Sequence, residues 1–89
     1  VERGFHAHIN LKQMAIVVKG SCTFVLDNGN KKEEIHLTNP NQGLLIEGLI
    51  WREMKNFSPD CVLLVLASEH YDESDYIRDY DKFLQVVKS

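Results

Sequence analysis

Two histidines one residue apart, His6 and His8, are the side chains of this chain best suited to chemistry. In a β-strand, residues i and i+2 point to the same face, so both imidazoles and the nearby Arg3 would project from one side of a strand or its edge. The unperturbed pKa of histidine is about 6.5, so such a pair could bind a metal ion or move protons at neutral pH. The spacing alone leaves both chemistries open, together with a purely structural polar face.

The composition restricts the class of protein. The 89 residues predict one small domain that buries only part of its surface and often relies on a partner. A net charge of −3, with no basic cluster beyond Lys31-Lys32, argues against a nucleic-acid partner. No apolar run approaches the ~18 residues of a membrane span. Cys22 and Cys61 lack metal-site spacing and are expected to be buried free thiols in a reducing cytosol, so we predict a cytoplasmic protein.

Short β-rich segments separated by turn signals fill most of the chain. Asn28-Gly29 is typical of a hairpin turn, and Pro40 and Gly43 predict a loop. Strands are predicted at Gln13–Val18, Cys22–Leu26, Lys31–Leu37, Leu44–Ile46, Ile50–Lys55 and Cys61–Ala67. Many short strands at close, even spacing indicate an antiparallel barrel or sandwich.

Only the C-terminus has the periodicity of a helix. Apolar side chains recur at i, i+3, i+4 and i+7, at Tyr80, Phe83, Leu84 and Val87. Ser74 is a candidate N-cap for this helix, and Asp79 is the alternative start.

The spacing around the histidines resembles the first cupin motif, in which Gln13 occupies the place of a metal-binding Glu and Gly20 follows. Trp51 falls at or near the place of the last metal-ligating histidine in the second motif. With an amide and an indole at these two places, we expect no metal, because a tight site needs three or four good ligands. His36 and His70 are expected to be exposed and structural.

Motifs along nearly the whole chain resemble the nucleotide-sugar 3,4-ketoisomerases, the WxcM-like cupins. They are Arg3-Gly4-x-His6-Ala7-His8, Gly20-Ser21, Gly43-Leu44, Trp51-Arg52-Glu53-Met54, Phe57-Ser58, Leu64–Ser68 and Asp75-Tyr76-Ile77-Arg78-x-Tyr80. The resemblance implies an all-β fold, an RmlC-like jelly-roll antiparallel barrel with a short C-terminal helix. Family members carry a strand or two before the Arg-Gly step, and this chain starts at Val1. We therefore expect residues 1–89 to be a single cupin domain that lacks its N-terminal strands.

The resemblance also implies an activity. A homodimeric isomerase without metal or cofactor would move the ketone of a TDP-linked 4-oxo-6-deoxyhexose from C4 to C3, in deoxysugar biosynthesis for lipopolysaccharide or S-layer glycans. Two departures from the family pattern are Ile9 in place of a lysine and Glu47-Gly48 in place of two prolines. Ile9 could alter substrate contact, whereas Glu47-Gly48 affects only a local turn.

The isomerisation needs a base near neutrality. The resemblance to the family motif implies His6 as the base at C3 and His8 as its partner in reprotonation or orientation, an order that the spacing alone would not decide. Arg3 could hold the pyrophosphate or stabilise an enediolate. Gln13 is expected in the substrate-binding site, where its amide could hydrogen-bond a histidine and fix its tautomer. Trp51 is a substrate-pocket candidate, with a core or barrel-lining position as the structural alternative.

Other residues have structural interpretations. Arg52 and Glu53 are predicted to pair on the surface. Tyr76, Arg78 and Tyr80 are predicted to anchor the C-terminal segment against the barrel, with thymine stacking or phosphate binding as the alternative. Two alternatives to the isomerase stay open: another cupin enzyme, either an epimerase or a metal-dependent one, and a non-catalytic cupin that binds sugar nucleotides.

Overall fold

The computed structural model describes residues 2–88, so Val1 and Ser89, the ends of the expected domain, lie outside the described residues. The strands are β1 (Arg3–His8), β2 (Gln13–Lys19), β3 (Cys22–Asp27), β4 (Lys32–Leu37), β5 (Gly43–Ile46), β6 (Trp51–Lys55), β7 (Val62–Ala67) and β8 (Tyr76–Ile77). A 3-10 helix (Glu73–Asp75) precedes β8, and helix α1 (Tyr80–Lys88) follows it.

The strands form two antiparallel sheets, one with the order β4-β3-β6-β1-β8 and one with the order β5-β2-β7. A core of buried side chains from both sheets packs between them: Ala15, Val17, Cys22, Phe24, Leu37 and Ile46. No strand pairing joins the two sheets within residues 2–88, so this part of the chain is an open sandwich rather than a closed barrel. The predicted all-β antiparallel fold with a C-terminal helix is confirmed.

A second core lies between α1 and the outer face of the larger sheet. It consists of Ala7, Trp51, Ile77 and Phe83. Since side chains alternate along a strand, Ala7 packs toward the helix while its neighbours His6 and His8 occupy the other face of β1. The same alternation continues in β8, where Ile77 pairs with Ala7 and Tyr76 pairs with His8.

Strand β1 is irregular at the residues just before the first histidine. Gly4 and Phe5 both have positive φ angles, +95° and +46°, and the register with β6 shifts between Gly4 and His6. A Cβ on Gly4 would lie 3.0 Å from the carbonyl oxygen of Arg52. Glycine is required here because of both its backbone conformation and this close approach.

The predicted strand bounds agree with the structure to within one residue, and β8 is an additional strand that the pattern missed. The N-cap prediction for Ser74 is wrong, because Ser74 lies in the 3-10 helix and α1 starts at Tyr80. The alternative, Asp79, is correct: its carboxylate accepts hydrogen bonds from the backbone N–H groups of Asp81 and Lys82. No helix among the described residues is long and apolar enough to cross a membrane.

Candidate active site

His6 and His8, hereafter the histidine pair, lie side by side on β1. Their ring centroids are 4.9 Å apart and the rings are nearly perpendicular, at 88°. The ring of Tyr76 packs against both, with centroids 4.2 Å from His8 and 5.1 Å from His6. The side chain of His8 is completely buried. The predicted juxtaposition of the two imidazoles on one face is therefore present.

The hydrogen bond of His6 fixes which ring nitrogen carries the proton. Nδ1 lies 2.8 Å from the carbonyl oxygen of Gly4. A carbonyl oxygen only accepts, so in the neutral ring Nδ1 is the donor and Nε2 carries the lone pair. Nε2 is buried and has no hydrogen-bond partner among the described residues. A buried nitrogen without a partner is rare and marks a position where a ligand or a proton can bind.

His8 is also held through its Nδ1, but here the hydrogen-bond acceptor is a carboxylate. Its Nδ1 lies 3.1 Å from Oδ2 of Asp75, and its Nε2 is likewise buried without a partner in the described chain. Burial raises the pKa of Asp75, but hydrogen bonds from the backbone N–H groups of Asn10 and Leu11 and from His8 outweigh it and hold the pKa below its usual value. The carboxylate is therefore ionised at neutral pH.

A buried arginine on β6 completes the cluster. Arg52 is 1% exposed, and it donates from Nη1 to Oε1 of Gln13 at 2.6 Å and from Nη2 to the carbonyl oxygen of Ile50 at 3.0 Å. Its Nε, the third buried atom of this kind, has no partner in the described part of the chain. Burial lowers the pKa of Arg52 to about 10, so the guanidinium stays charged at neutral pH.

The histidine pair is neutral at pH 7 because of its surroundings. Burial is the main cause that lowers the pKa of His8 to about 4, and the charge of Arg52 adds to it. Burial also lowers the pKa of His6; the hydrogen bond to Gly4 opposes this shift and Arg52 reinforces it. Each imidazole therefore presents an unprotonated Nε2 at neutral pH, which suits a proton acceptor.

Two predictions about polar partners are wrong. Arg52 does not pair with Glu53 on the surface, because it points between the sheets, while Glu53 accepts a hydrogen bond from Nε1 of Trp51 at 3.0 Å. Gln13 bonds to Arg52 and not to a histidine. Its oxygen crosses from the smaller sheet to the larger one, so it fixes the guanidinium beside the histidine pair.

The donor set around the histidine pair does not fit a resident divalent cation. Gln13 lies at the position expected for a carboxylate ligand, and its side-chain oxygen already accepts a hydrogen bond from the guanidinium of Arg52. The positive charge of Arg52 would repel a metal cation at this place. No group of three or more His, Cys, Asp and Glu side chains with metal-binding geometry occurs between residues 2 and 88. The expectation of a metal-free site stays a prediction.

The structure places the two other predicted site residues away from the histidine pair. Arg3 lies over the ring of Phe57, with its Cζ 5.9 Å from the ring centroid. It lines a cavity of about 500 Å³ whose described lining does not include the histidine pair. Trp51 is buried in the helix core, 5.2 Å from the ring of Tyr80 and 5.8 Å from that of Phe83. Their roles toward a substrate stay predictions.

Sequence reasoning missed Asp75 and Arg52 as members of the site, and it did not predict that Tyr76 packs against the histidine pair. Tyr76 also packs under Arg78, whose Cζ is 4.3 Å from the ring centroid. The predicted anchoring by Tyr80 is present, since its hydroxyl donates to Asp27 at 2.5 Å. No local sequence pattern indicates the contact between His8 and Asp75, because the two residues are 67 positions apart in the chain.

A buried pair of neutral imidazoles beside a fixed guanidinium, on a two-sheet antiparallel scaffold, defines a cupin-like acid–base site. Comparison with known proteins makes this class specific. The profile of the family described as WxcM-like, C-terminal (FdtA) matches residues 1–88, and the chain belongs to that family.

Similar proteins include a curated relative and solved structures. TDP-4-oxo-6-deoxy-alpha-D-glucose-3,4-oxoisomerase from Aneurinibacillus thermoaerophilus is 51% identical over 85 residues, which are 96% of this chain and 61% of that protein. A 3,4-ketoisomerase from Helicobacter canadensis is 50% identical with a TM-score of 0.97, covering 100% of this chain and 67% of that one.

A third relative was solved with a sugar nucleotide. It is a histidine-to-asparagine mutant of the 3,4-ketoisomerase QdtA from Thermoanaerobacterium thermosaccharolyticum in complex with TDP-4-keto-6-deoxyglucose. It is 45% identical with a TM-score of 0.96, and the match covers 99% of this chain and 64% of that one. The chain thus spans about two thirds of the length of these relatives. The resemblance found in the sequence motifs is confirmed.

Proposed function

We propose that this chain carries the acid–base residues of a sugar-nucleotide 3,4-ketoisomerase acting on a TDP-linked 4-oxo-6-deoxyhexose. The observation that carries the proposal is the histidine pair, in which two buried Nε2 atoms are unprotonated at neutral pH and lack partners among the described residues. The names of the three relatives, all 3,4-ketoisomerases or oxoisomerases, support the same reaction.

The reaction needs one proton removed and one returned. The C4 ketone acidifies the C3 proton, and removing that proton moves its electron pair into a C3–C4 double bond and leaves negative charge on O4. When the proton of the O3 hydroxyl passes to O4 and C4 gains a proton, the ketone lies at C3 and C4 carries a hydroxyl. A positioned base typically contributes ~10²–10⁴-fold to such a step.

Each member of the site has a role in this scheme. His6 takes the C3 proton on Nε2, and the hydrogen bond from its Nδ1 to Gly4 stabilises the imidazolium that forms. His8 orients the sugar or takes part in reprotonation at C4. The free Nε–H of Arg52 donates to the enediolate oxygen, whose charge is stabilised in a buried site more strongly than in water. Because both imidazole Nε2 atoms are shielded from solvent, the sugar reaches them only when neighbouring side chains move aside.

Isotope exchange separates the two half-reactions. In the intact protein, His6→Asn is expected to abolish isomerisation and the entry of solvent deuterium at C3 of TDP-4-oxo-6-deoxyglucose, followed by NMR. His8→Asn is expected to lower isomerisation while C3 exchange continues. His36→Asn is the matched control, since His36 is exposed on β4 and contacts Thr23 instead of the site. Wild-type exchange in His6→Asn would show that the base is another group.

The same measurements test the alternative functions. Binding of the TDP-sugar with no turnover and no exchange at C3 would identify a non-catalytic cupin. About one equivalent of Zn, Fe, Ni or Mn per chain in the purified protein would identify a metal-dependent enzyme.

We also propose a homodimer, formed through the smaller sheet. Strand β7 pairs only with β2 within the described chain and is exposed except at Leu63, with Val62, Leu64, Val65 and Leu66 each 42–53% exposed. An apolar edge strand of this kind is a template for pairing with another chain. Strand β2 is the central strand of this sheet and is paired on both edges, so β7 is the strand available for pairing. Light scattering of the intact protein should give a dimer mass, and Leu66→Lys should shift it toward monomer; a monomeric wild type at micromolar concentration would contradict this.

The cytoplasm is the proposed compartment. Cys22 is buried and Cys61 half-buried, and both are free thiols, which is the usual state of cysteine in a reducing cytosol.

A further inference from the structure

We propose that Asp75 is a positioning residue, which holds His8 in the tautomer and orientation that present the Nε2 lone pair to the sugar. The catalytic part of this inference rests on the proposed function. Its physical part, a single fixed tautomer of a buried imidazole, does not depend on any substrate.

Asp75 accepts hydrogen bonds from each of the consecutive residues 8–11. Its backbone carbonyl accepts a hydrogen bond from the N–H of Ile9 at 3.0 Å. Its Oδ1 accepts from the N–H of Asn10 at 2.8 Å, and its Oδ2 accepts from the N–H of Leu11 and from Nδ1 of His8, both at 3.1 Å. Four consecutive residues thus bond to one residue more than sixty positions later. The carboxylate is only 14% exposed, so water competes weakly for these bonds.

The carboxylate decides the tautomer of His8. An ionised carboxylate has no hydrogen to donate, so Nδ1 of a neutral His8 must carry the proton and Nε2 the lone pair. A free histidine side chain in water favours the opposite tautomer, with the proton on Nε2, and would then offer a donor to the sugar. The ring of Tyr76, 4.2 Å away, packs against the imidazole and limits its rotation.

A purely structural role for Asp75 makes different predictions. It would tie residues 9–11 to the 3-10 helix, and its loss would loosen this segment without changing the tautomer. Asp72 supplies a matched control, because its carboxylate caps the same 3-10 helix through the N–H and hydroxyl of Ser74. No described hydrogen bond joins Asp72 to His8.

The experiment measures the tautomer and the kinetics separately in the intact protein. ¹⁵N NMR of histidine-labelled wild type without substrate should show His8 with a protonated Nδ1 and an unprotonated Nε2. Asp75→Ala should give a mixture of tautomers. Its kcat should be lowered by about 10²–10⁴-fold, whereas its KM should change less than about threefold. Replacing the aspartate of a serine-protease triad lowers kcat by a similar factor. Asp72→Ala should keep both the wild-type tautomer and kcat.

Each remaining outcome is decisive. If Asp75→Ala does not fold, Asp75→Asn is measured in the same way, and its amide, which can donate or accept, should allow both tautomers. A wild-type His8 with the proton on Nε2, an unchanged tautomer and kcat in the Asp75 variant, or an equal kcat loss in Asp72→Ala would overturn the proposal. If the tautomers behave as expected and the wild type has no isomerase activity, the proposed function fails while the positioning role stands.

Discussion

Acid should destabilise this protein through His8, since that side chain is completely buried and its folded-state pKa is about 4. The unfolded chain takes up a proton near the ordinary value of about 6.5. Between these two values the unfolded state binds more protons than the folded state. The free energy of unfolding is therefore highest above pH 6.5, falls as the pH drops, and stops falling from this cause below pH 4.

The size of the effect follows from the two pKa values. A difference of about 2.5 units at 1.36 kcal/mol per unit limits the loss to about 3 kcal/mol, of which about 2 kcal/mol is reached by pH 5. That is a large part of the 5–15 kcal/mol typical of a whole domain. The lowered pKa of His6 acts in the same direction. The lowered pKa of Asp75 has its effect only below about pH 4, outside this window.

Urea unfolding at pH 7.5 and pH 5.0 tests the reasoning. In His8→Gln, which keeps a hydrogen-bonding group but does not titrate, the loss between the two pH values should be smaller than in wild type by about 2 kcal/mol. The exposed His70→Gln is the control and should behave as wild type. A difference below about 0.5 kcal/mol between wild type and His8→Gln would refute the claim that burial holds His8 neutral.

Three further changes have defined outcomes. Gly4→Ala places a Cβ at positive φ and 3.0 Å from the Arg52 carbonyl, and should cost about 1–3 kcal/mol in urea unfolding. Tyr80→Phe removes the 2.5 Å hydrogen bond to buried Asp27 and should also cost about 1–3 kcal/mol, whereas the exposed Tyr71→Phe should stay within about 0.5 kcal/mol of wild type. Arg52→Met should raise the pKa of both members of the histidine pair, moving the acid limb of the kcat/KM profile to higher pH, and should lower kcat about 10²-fold. An unchanged kcat in this last variant would show that the guanidinium does not stabilise the enediolate.

The β-elements were predictable because their signals are local. Strands such as β3 and β4 are short apolar or alternating runs joined by a turn around Asn28-Gly29, and their hydrogen-bonded register from Cys22 to Asp27 follows from that turn. The α1 stripe was equally clear, since its apolar positions recur with helical period. The two-residue strand β8 was missed because so short a segment has no period to detect.

The partners within the site were not predictable from local patterns. Trp51 and Arg52 are adjacent on β6, and alternation alone places one on each face without saying which face is buried. Both faces are covered, one by α1 and the other by the smaller sheet, so an arginine that composition assigns to the surface is 1% exposed. Its partner Gln13 is 39 positions away in the other sheet. Only the packing of the two sheets brings them together.

The chemistry of a His-x-His pair is thus decided by the charges around it rather than by its spacing. A carboxylate facing the two Nε2 atoms would favour imidazolium or a bound metal ion. Here the carboxylate of Asp75 contacts the opposite side of the His8 ring, at Nδ1, whereas the guanidinium of Arg52 lowers the pKa of both members of the pair. A positive neighbour disfavours both a proton and a cation at Nε2 in the resting site, and it stabilises an anion formed there. Such a site keeps both Nε2 atoms unprotonated at rest, and its guanidinium stabilises the enediolate that forms when a proton leaves a carbon next to a ketone.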